Sequence, residues 1–383
     1  MASTRGLSFG HILCLVLYLF DGEHKSEDPF GHQWPKDSFA AKMAGKPVCG
    51  GLFNAIIWLD AMDAEYACNE LKWPHYSCAG EICGYCPARA ADHRDYRKTA
   101  PFKQQLYNAG ATDTKVSNHP HWQIPGVSRF TYRGDEMHGL ALGPLQWLHA
   151  SAMWSLLSAE FGIFGPGAVD SRIQLLWGRV TEAYIACGTE KRITNLSIGM
   201  VGGNNHLPAL SCKAMEARGL IRPMLHIFES LNRVDDRLGN HDRHVIGCYT
   251  ALLEFYDVVE TNGLFLSDND STLVLASIDR FLLHYNWLCS WSRGRGETMY
   301  KLTTKHHSLW HLAYFARYMS PRASWTYSFE DFVGKVKRLG KAVVDGTPVH
   351  KVAGKIWQNY RIILADVMGM DLSQPANAYR HRL

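Results

Sequence analysis

Two cysteines separated by two residues, Cys83-Gly-Tyr-Cys86, constrain this chain more than any other feature. A C-x2-C turn can aim two thiolates at one ion. A tetrahedral structural site then needs two further ligands from elsewhere in the chain. The acid and histidine of Asp135-Glu-Met-His138 have the spacing to supply them, with Cys78, His75 and His119 as further candidates. The expected ligand set is therefore Cys83, Cys86, Asp135 and His138 around Zn2+. Four protein ligands leave no open coordination position, so such an ion is structural. It would clamp the polar excursion over residues 88–130 back onto the core. The competing reading of the same pair is two buried, unliganded thiols.

A second histidine pair lies far downstream, in Lys305-His-His-Ser-Leu-Trp-His311. His307 and His311 have the i, i+4 spacing that brings two imidazoles to one helix face and could bind a metal. The glutamate between the histidines of a hydrolytic zinc helix is missing, which favours packing or phosphate contacts. Trp310, Tyr314, Trp325 and Tyr327 alternate with Lys305, Arg317 and Arg322. That mixture suits base stacking, and equally a helical core with snorkelling basic side chains; core packing is the expected role.

Carboxylates appear where a strand would present them. The apolar run Leu52 to Leu59 lies between Gly50-Gly51 and Asp60, has the length of a buried strand, and leads to Asp63. Acids emerging from adjacent elements can hold Mg2+ ions about 4 Å apart for phosphodiester transfer. A helix cap or a solvated turn is the commoner use of such an acid. Lys213-Ala-Met-Glu216-Ala-Arg218 places another acid between two bases on a short helix, where a salt-bridged surface is the ordinary alternative.

The 383 residues, 46% hydrophobic and 20% charged, suffice for a large core and two lobes. Charge is uneven. From Arg293 onward there are 15 Lys or Arg against 6 Asp or Glu, a net +9, whereas residues 1–292 carry −5. A basic C-terminal part suits a polyanion, and equally a solvated helical surface. Cys14, Cys187, Cys212, Cys248 and Cys289 stand singly in apolar surroundings, a reduced, intracellular pattern. The apolar run from His11 to Phe20 is too short to span a bilayer and lacks a small-residue cleavage site, so it is expected to be a buried strand or helix, with no membrane span and no secretion. Residues 21–51 form a connector. Helices are expected over Ala209–Arg218, Pro223–Val234, His241–Thr261, Thr272–Trp291, Ser308–Tyr318, Phe329–Asp345 and Pro348–Met368, with apolar helical spacing also from His138 to Phe161.

Four stretches together resemble the CACTA-like cut-and-paste DNA transposases, including the transposon-derived proteins of dinoflagellate-type protists. The first runs from Asp63 through His75 into Cys83-Gly-Tyr-Cys86, and the second from His119-Pro-His-Trp-Gln-Ile-Pro-Gly126 into Asp135-Glu-Met-His138. The third is Lys213 to Arg218; the fourth spans Lys305 to His311, Ser320 to Tyr327 and Glu330-Asp-Phe332. The resemblance implies an RNase H-like core with three metal-binding acids, of which Asp63 matches the second and Glu216 the last. Asp21 is the only candidate for the first, and Asp60 competes with Asp63. The beginning of the chain resembles the middle of such proteins, so an N-terminally truncated member is expected.

The expected fold is α/β and helix-dominated. It comprises an N-terminal segment (1–50), a partial RNase H-like core with a zinc-knuckle excursion (51–205) and an all-helical part that becomes basic (206–383). The expected function is transposase-derived DNA binding in the nucleus, with Mg2+-dependent cleavage and strand transfer if the acid triad is complete. Alternatives are an inactive nucleic-acid-binding module with a structural zinc, and a helical interaction scaffold.

Overall fold

The computed structural model describes residues 80–107, 127–158, 162–202, 207–231 and 236–327 continuously, together with short stretches between 47 and 77 and between 338 and 362. The chain divides into two compact units, residues 26–325 and residues 1–25 with 326–383. The boundaries expected at 50/51 and 205/206 lie outside the described residues. The apolar run His11–Phe20, Asp21, and nearly all of the two last expected helices lie outside the described residues.

Helices dominate. Among the described residues, strands occur only as two short pairs. β1 (Pro47–Val48) runs antiparallel to β2 (Phe53–Asn54), and β3 (Asp60–Met62) runs parallel to β4 (Tyr132–Gly134), with Asp60 opposite Tyr132 and Met62 opposite Gly134. Of the strand expected over Leu52–Leu59, only β2 is among the described residues, the rest lying outside them, and Asp60 is the first residue of β3. A parallel pair needs a long crossover. Here that connection carries the cysteine knuckle and the short helix α1 (Pro101–Gln104).

β4 leads into a single π-helical turn (Met137–Ala141) and then α2 (Pro144–Leu157), which starts on a proline whose missing N–H costs nothing in the first turn. Eleven of the 14 residues of α2 are buried, so it is the central helix of the unit rather than a surface one. α3 (Val169–Ala186) follows, then α4 (Ala214–Gly219) and α5 (Ile221–Glu229). α3 has no counterpart among the expected elements, although Ile173, Leu176, Val180, Ala183 and Tyr184 form its buried stripe at helical spacing.

The largest substructure is a helical hairpin of α6 (Asp236–Thr261) and α7 (Asp268–Gly294). The Ser267 hydroxyl caps α7 by accepting from the Asp270 N–H at 3.1 Å, and Asp268 and Asp270 complement the positive end of the helix. Val245, Cys248, Leu252, Phe255 and Val259 of α6 are buried, as are Val274, Ile278, Phe281, Tyr285 and Leu288 of α7. α8 (Thr304–Tyr314) then packs on α7, its first turn closed by Thr303, whose hydroxyl accepts from the Lys305 N–H at 3.3 Å. No helix among the described residues is long and apolar enough to cross a membrane.

A buried histidine joins three of these helices. His149 of α2 lies 3.0 Å from the Tyr249 hydroxyl of α6 through Nδ1 and 2.8 Å from the Ala217 carbonyl oxygen of α4 through Nε2. Burial pushes its pKa down to about 4 from an ordinary 6.5. Between those values the unfolded chain holds a proton that the folded chain does not. Stability is therefore complete above about pH 6.5 and falls as the pH drops toward 4. Urea unfolding should show this site contributing a loss of about 2 kcal/mol at pH 5 relative to pH 7, and His149→Phe should flatten that part of the profile.

Candidate metal centre

The knuckle is a tight hairpin. Glu81 and Arg89 bridge its mouth, and the Ile82 N–H donates to the Ala88 carbonyl at 2.9 Å. The Tyr85 N–H points at Cys83 Sγ, 3.4 Å away, a contact that stabilises a thiolate. Tyr85 itself is anchored to β4, its hydroxyl donating to the Tyr132 carbonyl at 2.8 Å. Arg129 Nη1 donates to the Gly84 carbonyl at 2.9 Å. Gly84 sits against the Trp73 indole so closely that a Cβ there would lie 2.3 Å from a ring carbon. Only glycine lets the turn lie flat on that ring.

Facing the knuckle is α8. Its residues 307 and 311, one helical turn apart, direct their imidazoles at the two cysteines. The donor atoms of Cys83, Cys86, His307 and His311 all lie within 4.8 Å of one another, and all four residues are buried. Cys86 Sγ is 3.3 Å from His307 Nε2, and the two Nε2 atoms are 3.1 Å apart. Around a tetrahedral Zn2+, bond lengths of about 2.3 Å to sulfur and 2.0–2.1 Å to nitrogen separate S from N by about 3.6 Å and N from N by about 3.3 Å. The observed spacings are within a few tenths of an ångström of those values. Phe102 of α1 meets the His307 ring edge-on at 4.5 Å, and Tyr85 and Phe315 flank His311 at 5.1 and 6.2 Å.

The electrostatics match a thiolate site. Burial pushes the Cys83 thiol up, but the hydrogen bond with Cys86 and the nearby imidazoles of His311 and His307 outweigh it, and Cys83 ends well below the usual thiol range. Cys86 is pushed up, first by that same hydrogen bond and then by burial. Burial also pushes the His311 imidazole below its ordinary value, against the pull of Cys83. A soft, two-sulfur, two-nitrogen donor set in a closed pocket suits Zn2+ and leaves no position for a substrate.

Half of the expected ligand set is in this cluster and half is not. Cys83 and Cys86 come together, but the partners are His307 and His311 instead of Asp135 and His138. Asp135 follows β4 directly. Its buried carboxylate accepts from the Met137 and His138 backbone N–H groups at 3.0 and 3.2 Å and pairs with His138 Nδ1, so the acid and histidine serve each other at the start of the π-turn. The i, i+4 spacing of His307 and His311 was the sequence signal for the residues that join the cysteines in this cluster. The absence of an intervening glutamate argues only against hydrolysis and says nothing about a structural ion.

Of the two expected catalytic acids, only Glu216 is among the described residues, and it is not part of this cluster. Asp63 lies outside the described residues. Glu216, on α4, accepts from the Lys213 N–H through Oε2 at 2.9 Å, closing the first turn of its own helix. Lys305 connects the metal helix to the π-turn: its ammonium donates to the carbonyls of His138 and Leu142, both at 2.8 Å. Gly143 makes room for that side chain, since a Cβ would meet Lys305 Cδ at 2.7 Å. No known protein-family model, characterised protein or solved structure matches the chain.

The purified chain should carry one equivalent of zinc, measured by elemental analysis. Cys86→Ser and His307→Ala should each abolish it, while Asp135→Asn and His138→Gln should retain it. Chelation should lower the melting temperature by several degrees, because the ion is part of the folded state. Gly84→Ala should also lose metal, by lifting the turn off Trp73.

Proposed function

We propose that this chain is a transposase-derived, nucleic-acid-binding protein whose fold is locked by a structural zinc ion. The observation that carries this reading is the grouping of Cys83, Cys86, His307 and His311. Its C-x2-C half belongs to the same stretch that resembles CACTA-like transposases, and its histidine half belongs to another. Two segments picked out separately by that resemblance therefore meet in one cysteine–histidine cluster. The parallel pairing of β3 with β4 supports a partial RNase H-like core, because a metal knuckle inserted in the crossover leaves such a pair intact. The net +9 of the segment from Arg293 onward supports a polyanionic partner.

In the active form of this proposal, Asp63 and Glu216 hold Mg2+, and the chain cleaves and joins phosphodiesters. A second reading is favoured by one contact. The Glu216 carboxylate caps its own helix by accepting from the Lys213 N–H, which is a complete structural use of that acid. On this reading the protein binds nucleic acid in the nucleus without chemistry and holds no catalytic Mg2+.

Duplex DNA binding should weaken by on the order of ten-fold or more between 50 and 200 mM salt. A flat salt response would remove the nucleic-acid reading. Nicking of supercoiled DNA in Mg2+, abolished by Asp63→Ala and by Glu216→Gln, is the outcome for an active enzyme. Salt-sensitive binding with no nicking assigns the chain to the second reading.

A further inference from the structure

A second pair of histidines lies on the α6–α7 hairpin, where neither the zinc centre nor the proposed function uses it. His244 of α6 and His284 of α7 face each other with their Nδ1 atoms 2.9 Å apart. The rings meet edge to face, 5.0 Å between centroids. Both residues are half-buried, so the pair is reachable from solvent, unlike the closed cysteine–histidine centre.

Both rings are held in place. His244 lies flat on the Trp287 indole, 3.9 Å away and 4° from parallel. His284 sits over Gly247, where a Cβ would lie 2.5 Å from its Nε2. A glycine inside a long helix is unfavourable relative to alanine, and here it is what lets the imidazole pack against the α6 backbone. As a hydrogen-bonded pair, only one of the two Nδ1 atoms can donate to the other. A metal ion would use both lone pairs. Metal–nitrogen bonds of about 2.0–2.1 Å at right angles place two ligand atoms about 2.9 Å apart. Desolvation leads the causes that hold both imidazoles below their ordinary value, to about 4 for His244, so both rings are neutral. The charged neighbours are Arg243 and Arg280.

We propose that His244 and His284 form a second, solvent-accessible metal site that takes one divalent transition-metal ion in cis coordination through the two Nδ1 atoms, with water in the remaining positions. Imidazole ligands suit Cu2+, Ni2+ and Zn2+, and Cu2+ binds such nitrogen sites most tightly of the three. Because the two ligands lie on different helices, the ion cross-links α6 to α7. The site does not depend on the transposase reading or on DNA.

The test uses the full chain with its cysteine–histidine centre already saturated with zinc, titrated with Cu2+. The expected result is one tightly bound Cu2+ whose electron paramagnetic resonance spectrum shows two equatorial imidazole nitrogens, accompanied by a rise in melting temperature. His244→Gln and His284→Gln should each weaken that binding at least ten-fold and cancel the rise. Gly247→Ala should keep the helical circular dichroism yet weaken copper binding, because the new methyl group occupies the seat of the His284 ring. Copper affinity unchanged in both histidine variants, a spectrum with a single imidazole, or no rise in melting temperature would each overturn the site. If the histidine variants fail to fold, Gly247→Ala decides: undiminished two-imidazole binding in that variant overturns the proposed geometry.

Discussion

The contact between Cys86 and His307 spans 221 residues of chain. Everything from β4 to α7 is threaded between the two halves of that centre. Closing a flexible loop of such length costs on the order of 5 kcal/mol of chain entropy. The helical core meets most of that cost by burying apolar surface. The cysteine–histidine cluster sits where the core has least to offer, because the knuckle is a short hairpin without a helix. Joining it to α8 fixes the crossover between β3 and β4. Through Lys305 the same helix also satisfies two carbonyls of the π-turn.

That arrangement explains the division of labour among polar groups. The centre uses sulfur and nitrogen, is closed by Tyr85, Phe102 and Phe315, and has no place for a reacting molecule. Asp135 and His138 satisfy each other and the start of the π-turn, and Glu216 closes the first turn of α4. Polar groups that look chemical in isolation are here occupied with holding backbone. The hairpin histidines differ, because their two like nitrogens face each other while the pair stays open to solvent.

Much of the helical part was legible in the residue pattern. Asn262-Gly263 and the run of acids after Ser267 mark the turn between α6 and α7, and the apolar residues of both helices recur at helical spacing. The expected start of α7 at Thr272 falls one turn late because its first residues are aspartates and asparagine, which cap rather than pack. α3 escaped because its buried stripe is narrow and interrupted by charged side chains. The metal centre was legible in halves: spacing within one element tells where side chains point, as with C-x2-C and His307 with His311. Which elements then meet depends on packing between segments more than 200 residues apart, and no local pattern contains that.

The separation of the two halves also has a consequence in time. During synthesis the cysteines leave the ribosome long before the histidines that complete the centre. At 5–20 residues per second, the interval is on the order of 10 to 40 s. For that period Cys83 and Cys86 are an unfinished pair of thiols, open to oxidation or to borrowing ligands from another molecule. The four-residue cluster can assemble only once α8 has emerged, so any ion held by all four side chains would mark a chain whose core has been made in full.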